Sequence, residues 1–189
     1  MSAAPLAWVG PRPGRFGATV AGVVLTDAVT KLVAVDQLAL AYVPHPVLGD
    51  AVRWTLVYNR GAAFGMHVGA WSRVVFIVLT LVATAGLWQL WRSTPEDAQP
   101  RQWALALVLG GALGNLVDRL KSGRGVVDFI DVGVGDWRWP TFNVADIAVS
   151  TGAVLLAIVL WREESAHARA AASQAPEWVD VGTASDPRR

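Results

Sequence analysis

At 189 residues the chain is sized for a single domain. Only 16% of it is charged and 53% is hydrophobic, well short of the roughly 25% charge of a soluble domain, so a membrane protein is expected. The net charge of +1 gives no basic field for nucleic acid, and the lack of cysteine excludes disulfides, thiolate metal sites and a cysteine nucleophile.

A bilayer core about 30 Å thick needs about 20 apolar residues of helix. Four stretches meet or approach this, at residues 16–35, 74–91, 103–120 and 144–161. The first follows Arg12 and Arg15 as a secretory leader would. Its apolar run is nevertheless too long for an h-region of about 7–15 residues, and it holds Asp27 and Lys31, so it reads as a retained helix. Residues 92–102 form a short turn containing Pro95 and Pro100, whereas 36–73 and 121–143 are longer connections, with a short strand expected at 54–58. The tails, 1–15 and 163–189, are polar or rich in Ala, Pro and Arg and are expected to be poorly ordered. Several of the ten tryptophans fall near the ends of apolar runs, where an amphipathic ring suits the membrane–water boundary. Four spans force the connections after the first and third helices onto one side. Lysine and arginine do not say which side that is, because one face carries eight and the other seven.

Ionisable residues inside a span cost about 2.5–3.5 kcal/mol each, so each asks for a reason. Asp27 and Lys31 lie four apart on one helix face, and read either as a self-neutralising pair or as a brace for a polar site. Gly110 and Gly114, also four apart, permit close approach of a neighbouring helix. Arg119 suits a helix C-terminus and Asp118 could be its surface partner, but Asn115 sits one turn deeper. Asp128 interrupts the apolar run 126–130, and alone could be a loop acid paired with Arg124. Asp146 alone is ordinary helix-start chemistry, three residues after the candidate N-cap Asn143.

Together the two acids carry more meaning. They lie eighteen positions apart, one just after the third helix and one just inside the fourth, with Gly133 and Gly135 between them able to turn the chain. Two carboxylates sharing a site cannot both ionise cheaply, so the pair holds a proton between them. The charged member can activate water while the neutral one donates to a scissile carbonyl, which is peptide hydrolysis. His45, His67 and His167 are too scattered to suggest a metal site or a serine–histidine pair.

Five blocks, in order, resemble the lipoprotein signal peptidases (signal peptidase II). Residues 59–64 resemble their N-x-G-A-A-F block, 114–119 their G-N-x-x-D-R block, 127–130 their V-x-D-F-I element and 142–146 their F-N-x-A-D element. Asp27 and Lys31 fit the D-Q-x-x-K pattern of the first helix, except that Ala28 replaces the usual glutamine. The resemblance implies Asp128 and Asp146 as the catalytic dyad of an aspartyl endopeptidase. Asn59, Gly61, Asn115, Arg119 and Asn143 would bind substrate or support the dyad, and Asp27, Lys31 and Asp118 would give structural support. It also implies an all-α membrane fold, a peptidase domain of residues 16–162 built as a four-helix bundle with a small extracytoplasmic β-cradle (within residues 36–70) and a loop helix. Both termini would be cytoplasmic, in the bacterial cytoplasmic membrane. The implied partners are a diacylglyceryl-modified prolipoprotein, membrane lipids and globomycin-type inhibitors. No metal, organic cofactor or nucleic acid is implied, and a monomer is expected.

A small ion-coupled transporter would also place acids among helices, but such proteins usually show internal repeats or broken helices, and no repeat relates the first helix pair to the second. A membrane scaffold gives no reason for two acids and three asparagines to gather on one face.

Overall fold

The computed structural model describes residues 13–38, 40–60 and 71–173. Four helices carry the fold: α1 (Pro13–Gln37), α2 (Ser72–Arg92), α3 (Gln99–Lys121) and α4 (Val144–Ser173). All four are long and apolar enough to cross a membrane. At 1.5 Å per residue even the shortest, with 21 residues, spans about 30 Å. Alpha-3 is the central helix, packed against each of the other three, while α2 packs chiefly on α3.

Glycine makes the central packing possible. A Cβ on Gly110 would lie 2.8 Å from Val23 Cβ of α1, and one on Gly114 would lie 2.7 Å from Asp27 Oδ2. On the neighbouring face, Gly111 lies against the Ala145 carbonyl and Val149 of α4, and Gly152 of α4 lies against Ala104 and Val108 of α3. Without side chains at these points the backbones approach closely, which is how helices associate where lipid removes the hydrophobic drive. Away from the site the bundle is tied by Phe16 and Trp91, stacked at 4.3 Å over Leu105, Ala106 and Leu109.

A four-stranded antiparallel sheet stands at the end of the bundle where α1 and α3 finish and α2 and α4 begin. Its order is β1 (Pro44–Leu48), β2 (Val52–Asn59), β3 (Val126–Val134) and β4 (Trp137–Arg138). The expected strand at 54–58 is thus the middle of β2, and the cradle extends beyond residues 36–70 into the second long connection. Beta-3 alternates in the strand manner: buried Phe129 packs on Ala34 of α1, on Leu38 just past its end and on Leu56 of β2, while Asp128 points the other way. Gly125 holds φ at +110° against the Asn59 backbone, which lets β3 begin in register with the end of β2.

Beta-3 also carries Asp131, a buried acid that the sequence reading did not single out. Its Oδ2 accepts from Arg53 Nε at 2.9 Å and Thr55 Oγ1 at 3.0 Å. Its Oδ1 accepts from Arg138 Nε at 2.9 Å and Nη2 at 2.7 Å. Burial alone would raise its pKa, but the two guanidiniums outweigh burial and hold it below the ordinary carboxylate value. One carboxylate therefore clamps β2, β3 and β4 together.

One expectation needs adjusting. Residues 162–173 continue α4 instead of forming a poorly ordered tail from 163 onward. The segment is rich in Ala, Glu and Arg, strong helix formers, and Arg101 reaches Glu163 at 3.5 Å. The expected loop helix is not found among the described residues of either long connection; residues 61–70 lie outside them.

The α3–α4 contact at Gly111 can be tested directly. Gly111→Val is expected to lower the melting temperature, since overpacking costs about 1–3 kcal/mol, and to lower activity because Ala145 precedes Asp146. An unchanged melting temperature would show that the contact tolerates a side chain.

Candidate active site

The site forms where β3 meets the first turn of α4. Phe142 accepts hydrogen bonds from the Phe129 and Ile130 amides at 3.0 and 2.8 Å and donates its own amide to Ile130 at 3.0 Å. That bridge brings Asn143 beside Asp128. Asn143 is fully buried and caps α4: its Oδ1 accepts from the Asp146 amide at 2.9 Å, and Asp146 Oδ2 accepts from the Asn143 amide at 3.2 Å. This is the reciprocal cap expected from sequence. The other end of the same side chain leaves the helix, and Asn143 Nδ2 donates to Asp128 Oδ1 at 2.7 Å. One residue thus holds both carboxylates.

Each acid has a second amide. Asn59 Nδ2 donates to Asp128 Oδ2 at 3.1 Å, and Asn115 Nδ2 donates to Asp146 Oδ1 at 2.7 Å. Asn115 Oδ1 accepts from Lys31 Nζ at 2.9 Å and from Asn143 Nδ2 at 3.0 Å. Lysine can only donate, so the Asn115 carbonyl must face it, and this turns the Asn115 amide toward Asp146.

Lys31 is buried between two acids, 2.8 Å from both Asp27 Oδ2 and Asp118 Oδ2. The Asp27–Lys31 pair expected from sequence exists, and it also braces the site, because Asp27 Oδ1 accepts from the Ala145 amide of α4 at 3.0 Å. Asp118 joins this network instead of pairing on the surface with Arg119, and accepts from the Val127 amide at 3.1 Å. Arg119 donates to the backbone carbonyl of Asn115 at 3.2 Å, lies over Phe76, and is within electrostatic reach of Asp128 and Asp146. Arg124 stacks on Tyr58 at 4.5 Å and is no partner of Asp128. Gly61, expected at the site, lies outside the described residues.

Asp128 is 2% exposed, and burial pushes its pKa up to about 7. The charge of Asp146 adds to the rise, while the Asn59 and Asn143 hydrogen bonds and Lys31 oppose it. A carboxyl group with a pKa near neutrality can hold or release a proton there, as an acid beside a second carboxyl must. Two cavities flank the pair. One of about 500 Å³ touches Asp128 and Asn59, and one of about 290 Å³ runs from Asp146 along Ile147, Ser150 and Thr151 of α4.

The model of the signal peptidase (SPase) II family matches residues 19–162, which includes every described residue of this network. The chain belongs to the signal peptidase II family. Among its relatives, the lipoprotein signal peptidase of Burkholderia mallei (strain SAVP1) is 43% identical over 136 residues, 71% of this chain and 80% of that protein. The lipoprotein signal peptidase of Mycobacterium bovis (strain BCG / Pasteur 1173P2) is 48% identical over 158 residues, 79% of this chain and 72% of that protein. Two solved structures described as a bacterial membrane enzyme superpose with TM-scores of 0.72 and 0.69, each at 29% identity. They cover 84% and 82% of this chain and 94% and 97% of their own. As a signal peptidase II this is a bacterial membrane protein and a peptidase, so the reaction at hand is peptide-bond hydrolysis.

Substitution at Asn143 separates its two duties. Asn143→Ser keeps a good helix cap and loses the amide to Asp128, whereas Asn143→Ala loses both. The serine variant is expected to be the more stable by about 1 kcal/mol, with activity reduced roughly 100-fold or more in each. If capping were its whole role, serine would restore activity together with stability.

Proposed function

We propose that Asp128 and Asp146 are the catalytic dyad of an aspartyl endopeptidase acting on diacylglyceryl-modified prolipoproteins, with residues 16–162 as the peptidase domain. The enzyme removes the signal peptide by cutting on the amino side of the lipidated cysteine. The observation that carries this reading is Asn143, whose amide and backbone N–H reach one carboxylate each. Asp146, charged, removes a proton from water. Asp128, still protonated, donates to the carbonyl oxygen as the tetrahedral intermediate forms. The dyad then returns the proton to the leaving amine. Asn59, Asn115, Asn143 and Arg119 orient the acids and the peptide, Gly61 serves substrate binding or dyad support, and Asp27, Lys31 and Asp118 hold the frame. The chemistry needs neither metal nor organic cofactor.

In this reading both termini are cytoplasmic and the sheet is extracytoplasmic, so the site opens near the outer surface of the cytoplasmic membrane. The substrate suits that depth. A signal peptide and an acylated cysteine are both anchored in lipid and present the scissile bond at the membrane boundary, and the groove along α4 leads from the lipid zone to Asp146. The protein acts as a monomer among membrane lipids, and globomycin-type cyclic peptides block it.

The test is purified protein with a diacylglyceryl-modified prolipoprotein. Asp128→Asn and Asp146→Asn are each expected to fold and to cleave nothing measurable. Full turnover by either removes the proposed mechanism. The wild-type pH profile should be bell-shaped. Activity should fall as pH rises through about 7, because Asp128 then loses the proton it must donate. A rate that climbs steadily from pH 6 to 9 would contradict that assignment.

A further inference from the structure

The cavity of about 500 Å³ at Asp128 differs from its neighbour in where its walls come from. It is lined by the connection after α1 (Tyr42), by β2 (Tyr58, Asn59), by Arg60 and Arg124, and by Thr141 ahead of α4. None of its described lining residues belongs to a membrane-spanning helix. The cavity at Asp146, by contrast, is walled by α4 residues Ile147, Ser150 and Thr151. The acid pair therefore sits between a compartment inside the bilayer zone and one outside it. A substrate lying across the pair must place its membrane-embedded part in the first and the chain leaving the membrane in the second.

The outer compartment is positively charged. Arg60 and Arg124 are both exposed and both line it. Arg124 is held on the wall by its stack on Tyr58, at 4.5 Å from the ring. Among the described residues neither has a carboxylate within ion-pair distance, unlike Arg53 and Arg138, which are spent on Asp131 and Asp50. The carboxylates of the site are already held by amides and Lys31. Two guanidiniums at the mouth of a cavity, with no carboxylate within ion-pair distance of them among the described residues, favour an anionic guest.

We propose that this cavity is a specificity subsite for the mature side of the substrate, in which Arg60 and Arg124 select acidic residues directly after the lipidated cysteine. The inference rests on the peptidase reading above. Arginine–carboxylate contacts at so exposed a site are weak and screened by salt, so they bias the rate without gating it.

The experiment compares diacylglyceryl-cysteine peptides carrying Glu-Glu, Gln-Gln or Lys-Lys at the two positions after the cysteine, with purified full-length protein in mixed micelles. The wild-type ratio of kcat/KM for the glutamate over the lysine peptide is expected to be about three- to tenfold at low salt. It should fall toward one as salt is raised. Arg60→Gln combined with Arg124→Gln should collapse the ratio, and Arg60→Lys with Arg124→Lys should restore most of it. The ratio is read within each variant, so a general loss of activity does not obscure it. Equal ratios in wild type and the double glutamine variant overturn the inference while leaving the peptidase reading intact. A loss that follows the share of anionic lipid in vesicles, regardless of peptide charge, assigns the arginines to lipid headgroups and overturns it as well. Wild-type protein that cleaves none of the three peptides removes both readings.

Discussion

The Asn143 side chain is shared between a helix end and the proposed catalytic pair, and most of the structure is arranged to make that sharing possible. Its carbonyl closes the first turn of α4 on the Asp146 amide, and its amide reaches across to Asp128 on β3. Asp146 cannot move without disturbing the cap, and Asp128 cannot move without stranding a buried amide, which costs about 1–3 kcal/mol. The two acids are thereby coupled mechanically as well as electrostatically. Among the described residues the surrounding network sets four carboxyl groups, Asp27, Asp118, Asp128 and Asp146, against two cations, Lys31 and Arg119. Burial in this poorly solvated place, with the neighbouring negative charge, raises the pKa of Asp128, the more buried acid of the pair.

The same bonds that organise the chemistry hold the helices together. Asp27 joins α1 to the start of α4, and Lys31 joins α1 to α3 through both Asp118 and Asn115. In lipid, apolar packing between helices brings no hydrophobic gain, so close glycine contacts and buried polar bonds must supply the association. Fold and site therefore draw on one set of interactions. The sheet makes the other half of the frame: the Phe129 side of β3 is seated on α1, and the Asp131 clamp fixes β2, β3 and β4, so Asp128 is presented from a braced strand.

Much of this was legible in the sequence, for a physical reason. Helices in a bilayer must be long and apolar, so the four spans and the common face of the two long connections followed from length and hydropathy. The two acids and three asparagines stood out because polar groups at that depth need partners. The strands of the second connection were harder to read. Asp128, Asp131 and Gly133 break the alternation that would mark β3, and β4 is only two residues long. Asp131 is not marked out by sequence because only strand register brings Arg53, 78 residues away, and Arg138, across the β3–β4 turn, to it. In sequence Asp118 stands next to Arg119 and can be its surface partner, but adjacent residues on a helix do not face each other, and Lys31 lies opposite instead. The polarity of residues 162–173 suggests a tail, but their Ala, Glu and Arg content favours helix whether or not the segment is embedded.

The central claim is that the two acids share one environment, and a site-resolved titration tests it most directly. With 13C-labelled aspartate, the Asp128 carboxyl should titrate near 7 in the wild-type protein and clearly lower once Asp146→Asn removes the neighbouring charge. An Asp128 that titrates at the ordinary value of about 4 and is indifferent to position 146 would contradict the account.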